Sequence, residues 1–141
     1  MEKWLWRSFV WHTWLVRATR GKVGGRLGRL RFLLLHHVGA KSGTPRTTPL
    51  LYHPVDAGYV IIGSKGGSAT NPAWLHNLRA HPDVEIEIPG EERRRAVRAR
   101  EVPEGEERER LWNLMVADWR FFDSYQKRTQ RRIPVLLLTP R

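Results

Sequence analysis

Apolar and polar positions along the chain predict a series of short strands. The run FLLLHHV is mostly apolar, whereas VEIEI and RRAVRAR alternate between apolar and polar residues, and both patterns are typical of strands. Asp56-Ala57-Gly58 and Pro89-Gly90 separate neighbouring strands, so each is predicted to form a hairpin turn. The six predicted strands are residues 32–38, 48–54, 59–64, 83–88, 94–100 and 133–138.

Three helices are predicted between these strands. Asn71 is a suitable N-cap and Pro72 a suitable first residue for a helix that ends before Pro82. Acidic residues after Pro103 favour the start of a second helix, and a short aromatic helix is predicted over residues 119–125. Hairpin-linked strands without βαβ alternation indicate a mainly β (α+β) fold, a closed or partly closed barrel of about six largely antiparallel strands.

The first 30 residues differ from the rest of the chain. Residues 4–16 (WLWRSFVWHTWLV) contain four tryptophans and are too short to span a bilayer. Two compatible interpretations stay open: a helix that packs on the core or at a dimer contact, or one that contacts an anionic membrane surface through residues 1–20. A basic Gly-rich connector follows, so the predicted regions are 1–30, the Trp/Arg-rich helix with its connector, and 31–141, the barrel.

Composition narrows the function classes. The 141 residues suffice for one domain, and the absence of cysteine excludes disulfides, iron–sulfur clusters and thiol nucleophiles. The histidines lack the spacing of zinc ligands, so no metal site is predicted. The net charge of +11 is concentrated in residues 1–50, which hold ten Lys or Arg and one acid. This asymmetry indicates an anionic partner: nucleic acid, a membrane or a polyanionic cofactor.

Two Gly-rich cationic turns and one aromatic segment are candidate binding elements. Residues 39–46 (GAKSGTPR) and 64–67 (SKGG) could each hold a phosphate through backbone N–H groups and cations, or be ordinary solvated turns. Residues 119–125 could form an apolar wall for a planar ring, or a stripe of core residues. No nucleophile with an adjacent base is apparent, so a bound cofactor would supply the chemistry.

Five ordered stretches resemble the deazaflavin-dependent nitroreductase family of actinobacterial oxidoreductases, which use coenzyme F420 (8-hydroxy-5-deazaflavin). They are GAKSGTPR at 39–46, TPLLY at 48–52, SKGG at 64–67, NPAWLHNL at 71–78, and YQ at 125–126 with RIPV at 132–135. The resemblance implies the split β-barrel fold of flavin-reductase-like proteins. It also implies hydride transfer between the reduced deazaflavin and a lipophilic electrophile such as a quinone, an enone or a nitroaromatic compound.

The resemblance assigns roles to particular residues. Those expected to bind the cofactor are Lys41, Ser42, Gly43, Arg46, Thr47, Thr48, Pro49, Leu50, Leu51, Gly63, Ser64, Lys65, Ala73, Trp74, His76, Asn77 and Phe122. Those expected to contact the substrate are Tyr52, Trp119, Phe122 and Tyr125. Tyr125 and Ser64 are the catalytic candidates, because their hydroxyl groups can stabilise charge on the acceptor oxygen.

Several alternatives accompany this hypothesis. Family members often carry Tyr where this chain has Leu51, Trp119 and Phe122, which leaves open a carrier of deazaflavin or fatty acid without efficient turnover. FMN is the alternative cofactor, and a basic nucleic-acid-binding barrel is a remote alternative. The expected location is cytoplasmic, with peripheral contact at the inner face of the membrane and a homodimer as further expectations.

Overall fold

A computed structural model describes residues 31–141, which form one antiparallel sheet and three α-helices. The strands are β1 (Phe32–Val38), β2 (Pro45–Leu51), β3 (His53–Val55), β4 (Gly58–Ile62), β5 (Asp83–Glu87), β6 (Arg95–Glu101) and β7 (Val135–Pro140). The helices are α1 (Ala73–Ala80), α2 (Glu106–Asp118) and α3 (Phe121–Arg128), and a short 3-10 turn covers Lys65–Gly67.

One residue connects the two edges of the sheet. The strand order is β2-β1-β5-β6-β7-β4-β3, yet only Tyr52 separates β2 from β3. In a flat sheet of this order, six intervals of about 4.8 Å would separate the edge strands by roughly 29 Å. Two Cα–Cα steps span at most about 7.6 Å, so the sheet has to curl until its edges meet. Accordingly, β2 also contacts β4, the neighbour of the opposite edge strand.

Both faces of the curled sheet are buried at strand β7. Alternate residues of β7 enter different core clusters: Leu136 and Leu138 belong to the first, Val135 and Leu137 to the second. Helix α1 covers the first cluster through Trp74, Leu75 and Leu78. Helices α2 and α3 cover the second through Leu111, Trp112, Met115 and Phe122. This two-sided burial explains the continuous apolar run of β7, because neither face meets water.

The predicted fold class is confirmed, with a correction to the number of strands. The seven strands all pair antiparallel, and the hairpin turns at residues 56–57 and 88–94 join the predicted partners. The predicted strand 48–54 is instead two strands at opposite edges of the sheet, separated by the buried Tyr52. Strand β2 also starts earlier than predicted, since Pro45 pairs with Val38 at an edge, where its missing N–H is tolerated.

The helix starts also differ from the predicted ones. Pro72, not Asn71, is the N-cap of α1, and the Asn71 side chain instead accepts a hydrogen bond from Arg131. Helix α2 begins at Glu106, after Gly105 and beyond Pro103. Trp119 lies in extended conformation between α2 and α3, so the predicted aromatic helix starts two residues later, at Phe121.

The predictions for residues 1–30, including the Trp/Arg-rich helix and its membrane contact, lie outside the described residues. Within residues 31–141, no helix is both long enough and apolar enough to cross a membrane.

Gly58 offers a test of how tightly β4 packs on β7. Its φ of +152° is unfavourable for other residues, and a Cβ there would overlap the carbonyl oxygen of Leu138. We expect Gly58→Ala to destabilise the protein by more than about 3 kcal/mol, measured by urea unfolding. Gly105 has a similar φ of +148°, but no atom lies within 4 Å of a Cβ built there. Gly105→Ala should therefore lower the free energy of unfolding only by the cost of the unfavourable φ. Equal losses for the two variants would contradict this packing.

Candidate functional site

The first loop, residues 39–46, comprises the hairpin connection 39–44 and the first two residues of β2, and it carries exposed cations. Strands β1 and β2 pair up to Val38 and Pro45, and two backbone bonds close the loop: Gly39 N–H to Thr44 O and Gly43 N–H to Gly39 O, both 2.9 Å. Lys41 and Arg46 are exposed, and neither forms an ion pair with another residue of 31–141. The loop therefore presents two positive charges on a backbone of fixed shape.

A buried chain of hydrogen bonds, which we call the relay, connects this loop to helix α1 and strand β2. The Ala40 N–H donates to Asn77 Oδ1 at 2.8 Å, and Asn77 Nδ2 lies 3.0 Å from His37 Nδ1. His37 Nε2 lies 2.8 Å from Thr48 Oγ1. His37 and Asn77 are only 4% and 7% exposed, so these bonds form largely out of water.

The relay holds a neutral histidine. Burial lowers the pKa of His37 from 6.5 to about 4, and the positive charges of Arg46 and His36 contribute to the shift. At neutral pH the imidazole therefore has one N–H and one lone pair, as a residue between a donor and an acceptor requires.

Strand β2 divides its predicted binding residues between two faces. Residues paired across β1 and β2 share a face, so Arg46, Thr48 and Leu50 lie beside His37, Leu35 and Leu33. Thr47, Pro49 and Leu51 lie on the other face, where Thr47 Oγ1 is 3.1 Å from His36 Nδ1. Leu51 packs against Phe32 and Leu34 and also against the second core cluster.

The second loop, residues 63–68, has a backbone suited to glycine. Lys65, Gly66 and Gly67 have φ values of +45°, +64° and +79°. A Cβ at Gly67 would lie 2.7 Å from the carbonyl oxygen of Tyr125, so this glycine lets the loop pack against α3. The packing brings the buried Ser64 and the half-buried Tyr125, the two catalytic candidates, to adjoining elements.

Arg131 holds the second loop together in an arrangement we call the clamp. Its guanidinium donates to the carbonyl oxygens of Gly63, Ser64 and Ser68 and to Asn71 Oδ1, at distances of 2.7–3.2 Å. No carboxylate of residues 31–141 forms an ion pair with it, and burial lowers its pKa from the ordinary value for arginine. Arg131 therefore acts as a multiple donor to backbone, a role that the planar fork of arginine allows.

Helix α1 links the two loops. A Cβ at Gly63 would meet Pro72 and Leu75 at 3.7 and 3.8 Å, so the second loop packs on the start of this helix. Further along the same helix, Asn77 bonds to the first loop through Ala40. Of the other site residues predicted on α1, Trp74 is buried in the first core cluster, whereas Ala73 and His76 are exposed.

The predicted aromatic wall is partly core. Trp119 and Phe122 are buried in the second core cluster, whereas Tyr125 is half-buried and Phe121 is exposed. Phe121 lies 4.7 Å from Phe122 and 5.4 Å from Tyr125 between ring centroids. Tyr52 does not join this group, because it packs in the first core cluster with its ring 5.6 Å from that of Tyr59.

The donor set suits a ligand that carries both an anionic part and a flat ring. The first loop supplies cations, the second supplies a glycine-rich backbone, and α3 supplies aromatic surface. No group of three metal-ligating side chains occurs in the described part of the chain.

The sequence interpretation missed two residues that organise this site. His37 could have been noticed, because it is a polar residue on a strand face otherwise occupied by Leu33 and Leu35. Arg131 gave no comparable signal, since three of its four acceptors are backbone carbonyls that no sequence motif reveals.

A family model described as F420H(2)-dependent quinone reductase matches residues 8–140. The F420H(2)-dependent quinone reductase Rv1261c of Mycobacterium tuberculosis (strain H37Rv) is 42% identical over 133 residues, which cover 92% of this chain and 88% of the relative.

Two solved structures are also similar. One, described as the structure of an F420-H2 dependent reductase (FDR-A), is 36% identical with a TM-score of 0.68 and covers 76% of this chain and 92% of its own. Another, described as a domain-swapped dimer, is 33% identical with a TM-score of 0.71 and covers 94% of this chain and 98% of its own.

The buried neutral His37 predicts a specific dependence of stability on pH. Its pKa is about 4 in the folded state against 6.5 unfolded, so the unfolded chain binds more protons between these values. The contribution of His37 to the unfolding free energy is complete above about pH 6.5 and is lost as the pH falls towards 4. The free energy of unfolding, measured with urea over this pH range, should fall more steeply with decreasing pH for the wild type than for His37→Gln, whose amide does not titrate. The exposed His81→Gln serves as control and should retain the wild-type slope.

The clamp predicts a difference between two adjacent arginines. Arg131→Lys loses most of the four bonds, and we expect a loss of about 1–3 kcal/mol in unfolding free energy. In this variant, the backbone amide hydrogens of residues 64–68 should also exchange with solvent faster than in the wild type. Arg132 pairs with Glu104 and Glu109 at the surface, so Arg132→Lys should lose less than about 1 kcal/mol. A comparable loss in both variants, with unchanged exchange in the second loop, would argue against the clamp.

Proposed function

Because the chain belongs to the F420H(2)-dependent quinone reductase family, we propose that it catalyses the reduction of a quinone by reduced coenzyme F420. The family match over residues 8–140 is the observation that carries this proposal. Family membership confirms the predicted class, an oxidoreductase that uses F420, and the similar F420-dependent reductase structure confirms the split-barrel fold.

The residues of the site are compatible with this cofactor. F420 has a phosphate, an oligoglutamate tail and a flat deazaflavin ring. Lys41 and Arg46 are exposed cations without an ion-pair partner among the described residues, which supports a contact with the anionic part. Arg46 shares its face of β2 with Thr48 and Leu50, and these residues continue the proposed surface towards the ring.

In the proposed reaction, a quinone takes up a hydride and a proton and becomes a hydroquinone. The bound cofactor supplies the hydride from C5 of its reduced ring. The protein holds the acceptor in reach, excludes water and stabilises the negative charge that develops on the quinone oxygen. We assign this stabilisation to the hydroxyl groups of Tyr125 and Ser64, which the packing of Gly67 against α3 brings to adjoining elements.

We propose that Phe121 and Tyr125 contact the acceptor, because their rings are the more accessible part of the aromatic group. Phe121 is 39% exposed, whereas Trp119 and Phe122 are 6% and 5% exposed and support these rings from below. An apolar surface of this kind suits a lipophilic quinone, the acceptor for which the family is named. Enones and nitroaromatic compounds are the other proposed electrophiles.

Two further features of the proposal concern assembly and location. A homodimer is supported by the related structure described as a domain-swapped dimer. Peripheral contact of residues 1–20 with an anionic membrane would bring the protein to lipophilic quinones, and it stays a prediction about a segment outside the described residues.

Titration and turnover test the proposed function together. We expect oxidised F420 to bind with micromolar or tighter affinity and FMN much more weakly, as followed by deazaflavin fluorescence and flavin fluorescence. Reduced F420 should be oxidised upon addition of menadione.

Replacing Lys41 and Arg46 together by Ala should weaken F420 binding by more than 10-fold, since one charged hydrogen bond is worth roughly 1.5–3 kcal/mol.

The matched control removes the same charge elsewhere. Arg93→Ala/Arg110→Ala changes two exposed arginines, one in the β5–β6 turn and one on α2, and should bind F420 like the wild type. Binding without turnover would indicate a cofactor carrier, and binding of neither cofactor would refute the proposal.

A further inference from the structure

The direction of the hydrogen bonds in the relay follows from one group that can only donate. The Ala40 backbone N–H can only donate, so the side-chain atom of Asn77 that faces it has to be the oxygen, Oδ1. This fixes the amide orientation and turns Asn77 Nδ2 towards His37 Nδ1 as a donor. His37 Nδ1 therefore carries a lone pair and no proton.

The same direction of donation continues through the imidazole of His37 to strand β2. A neutral histidine whose Nδ1 accepts has its proton on Nε2, which then donates to Thr48 Oγ1 over 2.8 Å. The Thr48 oxygen is thus the acceptor in this bond, and its own hydroxyl proton has to point elsewhere. Within residues 31–141, that proton meets no side-chain or backbone acceptor.

The position of Thr48 indicates what this proton meets. Thr48 is partly exposed and lies two residues from Arg46 on the same face of β2. Arg46 places a positive charge on this face, and Lys41 is a second exposed cation in the first loop. An oxygen atom of an anionic ligand would satisfy both the guanidinium and the hydroxyl proton.

We propose that the Ala40–Asn77–His37–Thr48 relay orients the Thr48 hydroxyl as a hydrogen-bond donor to an anionic oxygen of the bound cofactor. Thr48 is then the binding residue, and His37 and Asn77 are positioning residues that act through it. This inference rests on the proposed function for the identity of the ligand, whereas the direction of the protons rests on the protein alone. In this proposal Asn77, expected from the sequence to bind the cofactor, holds the first loop and acts on the cofactor through His37 and Thr48.

The proton positions can be tested without any ligand. In ¹⁵N NMR of the imidazole groups, we expect His37 of the wild type to be neutral at pH 7, with its proton on Nε2. Asn77→Asp retains an acceptor for the Ala40 N–H and places a carboxylate oxygen against His37 Nδ1. We expect His37 of this variant to be protonated on both nitrogens at pH 7, which a simple packing role for Asn77 does not predict. A proton on Nδ1 in the wild type would overturn the relay.

The donor role is tested by affinity for oxidised F420. Thr48→Val keeps the shape and removes the hydroxyl, and we expect binding to weaken about 10- to 100-fold, the range for one hydrogen bond to a charged acceptor. Thr48→Ser should recover most of this loss. Thr139→Val, which removes a hydroxyl on β7 that donates to Arg98 O on β6, is the matched control and should bind like the wild type.

Each outcome separates this inference from the proposed function. If the wild type binds F420 and Thr48→Val binds equally well, the donor role is wrong and the proposed function stands. If the wild type does not bind F420, the proposed function and the donor role both fail, and the NMR result still decides the direction of the relay. Thermal unfolding of each variant identifies any that lose affinity by failing to fold, and for Thr48→Val the Ser variant then decides the donor role.

Discussion

Tyr52 imposes the constraint on which the rest of the molecule depends. It is the only residue between two strands that lie at opposite edges of a seven-stranded sheet. The sheet therefore has to curl. A curled sheet has an inner face, whose space side chains must fill, and an outer face, on which other elements pack. Helix α1 serves the first core cluster, and α2 with α3 serves the second. The placement of the three helices, and of the loops at their ends, follows from this single short connection.

The two loops of the site are held by opposite chemical means. The relay at the first loop is neutral, and its two inner members, Asn77 and His37, each have one donor and one acceptor in use. The clamp at the second loop is a cation that neutral carbonyl and amide oxygens surround. In both cases the buried groups are satisfied by hydrogen bonds, which is the condition for burying polar groups without a large loss of stability. The exposed cations Lys41 and Arg46 are left available for a ligand.

Much of the fold could be predicted from the chain, because alternation and turn residues are local signals. The hairpins around Gly58 and Gly90 were visible for this reason. The division of residues 48–54 into two strands was not, since it depends on which distant strands pair with each half. For the candidate site, the two loops were predicted from their glycines and cations. The role of Asn71 was missed because Arg131, which lies 60 residues away, takes the side chain expected to cap the helix.

The different chemistry of the two loops has a consequence for ionic strength. Dissolved salt screens interactions between exposed charges, whereas bonds between a partly buried guanidinium and carbonyl oxygens are screened much less. Contacts made by Lys41 and Arg46 therefore weaken as salt is added, while the second loop keeps its shape. In the proposed function, capture of the anionic part of the ligand and preservation of the second loop thus respond separately to the surrounding electrolyte. A protein built in this way can release its ligand in concentrated salt and still be ready to bind it again after dilution.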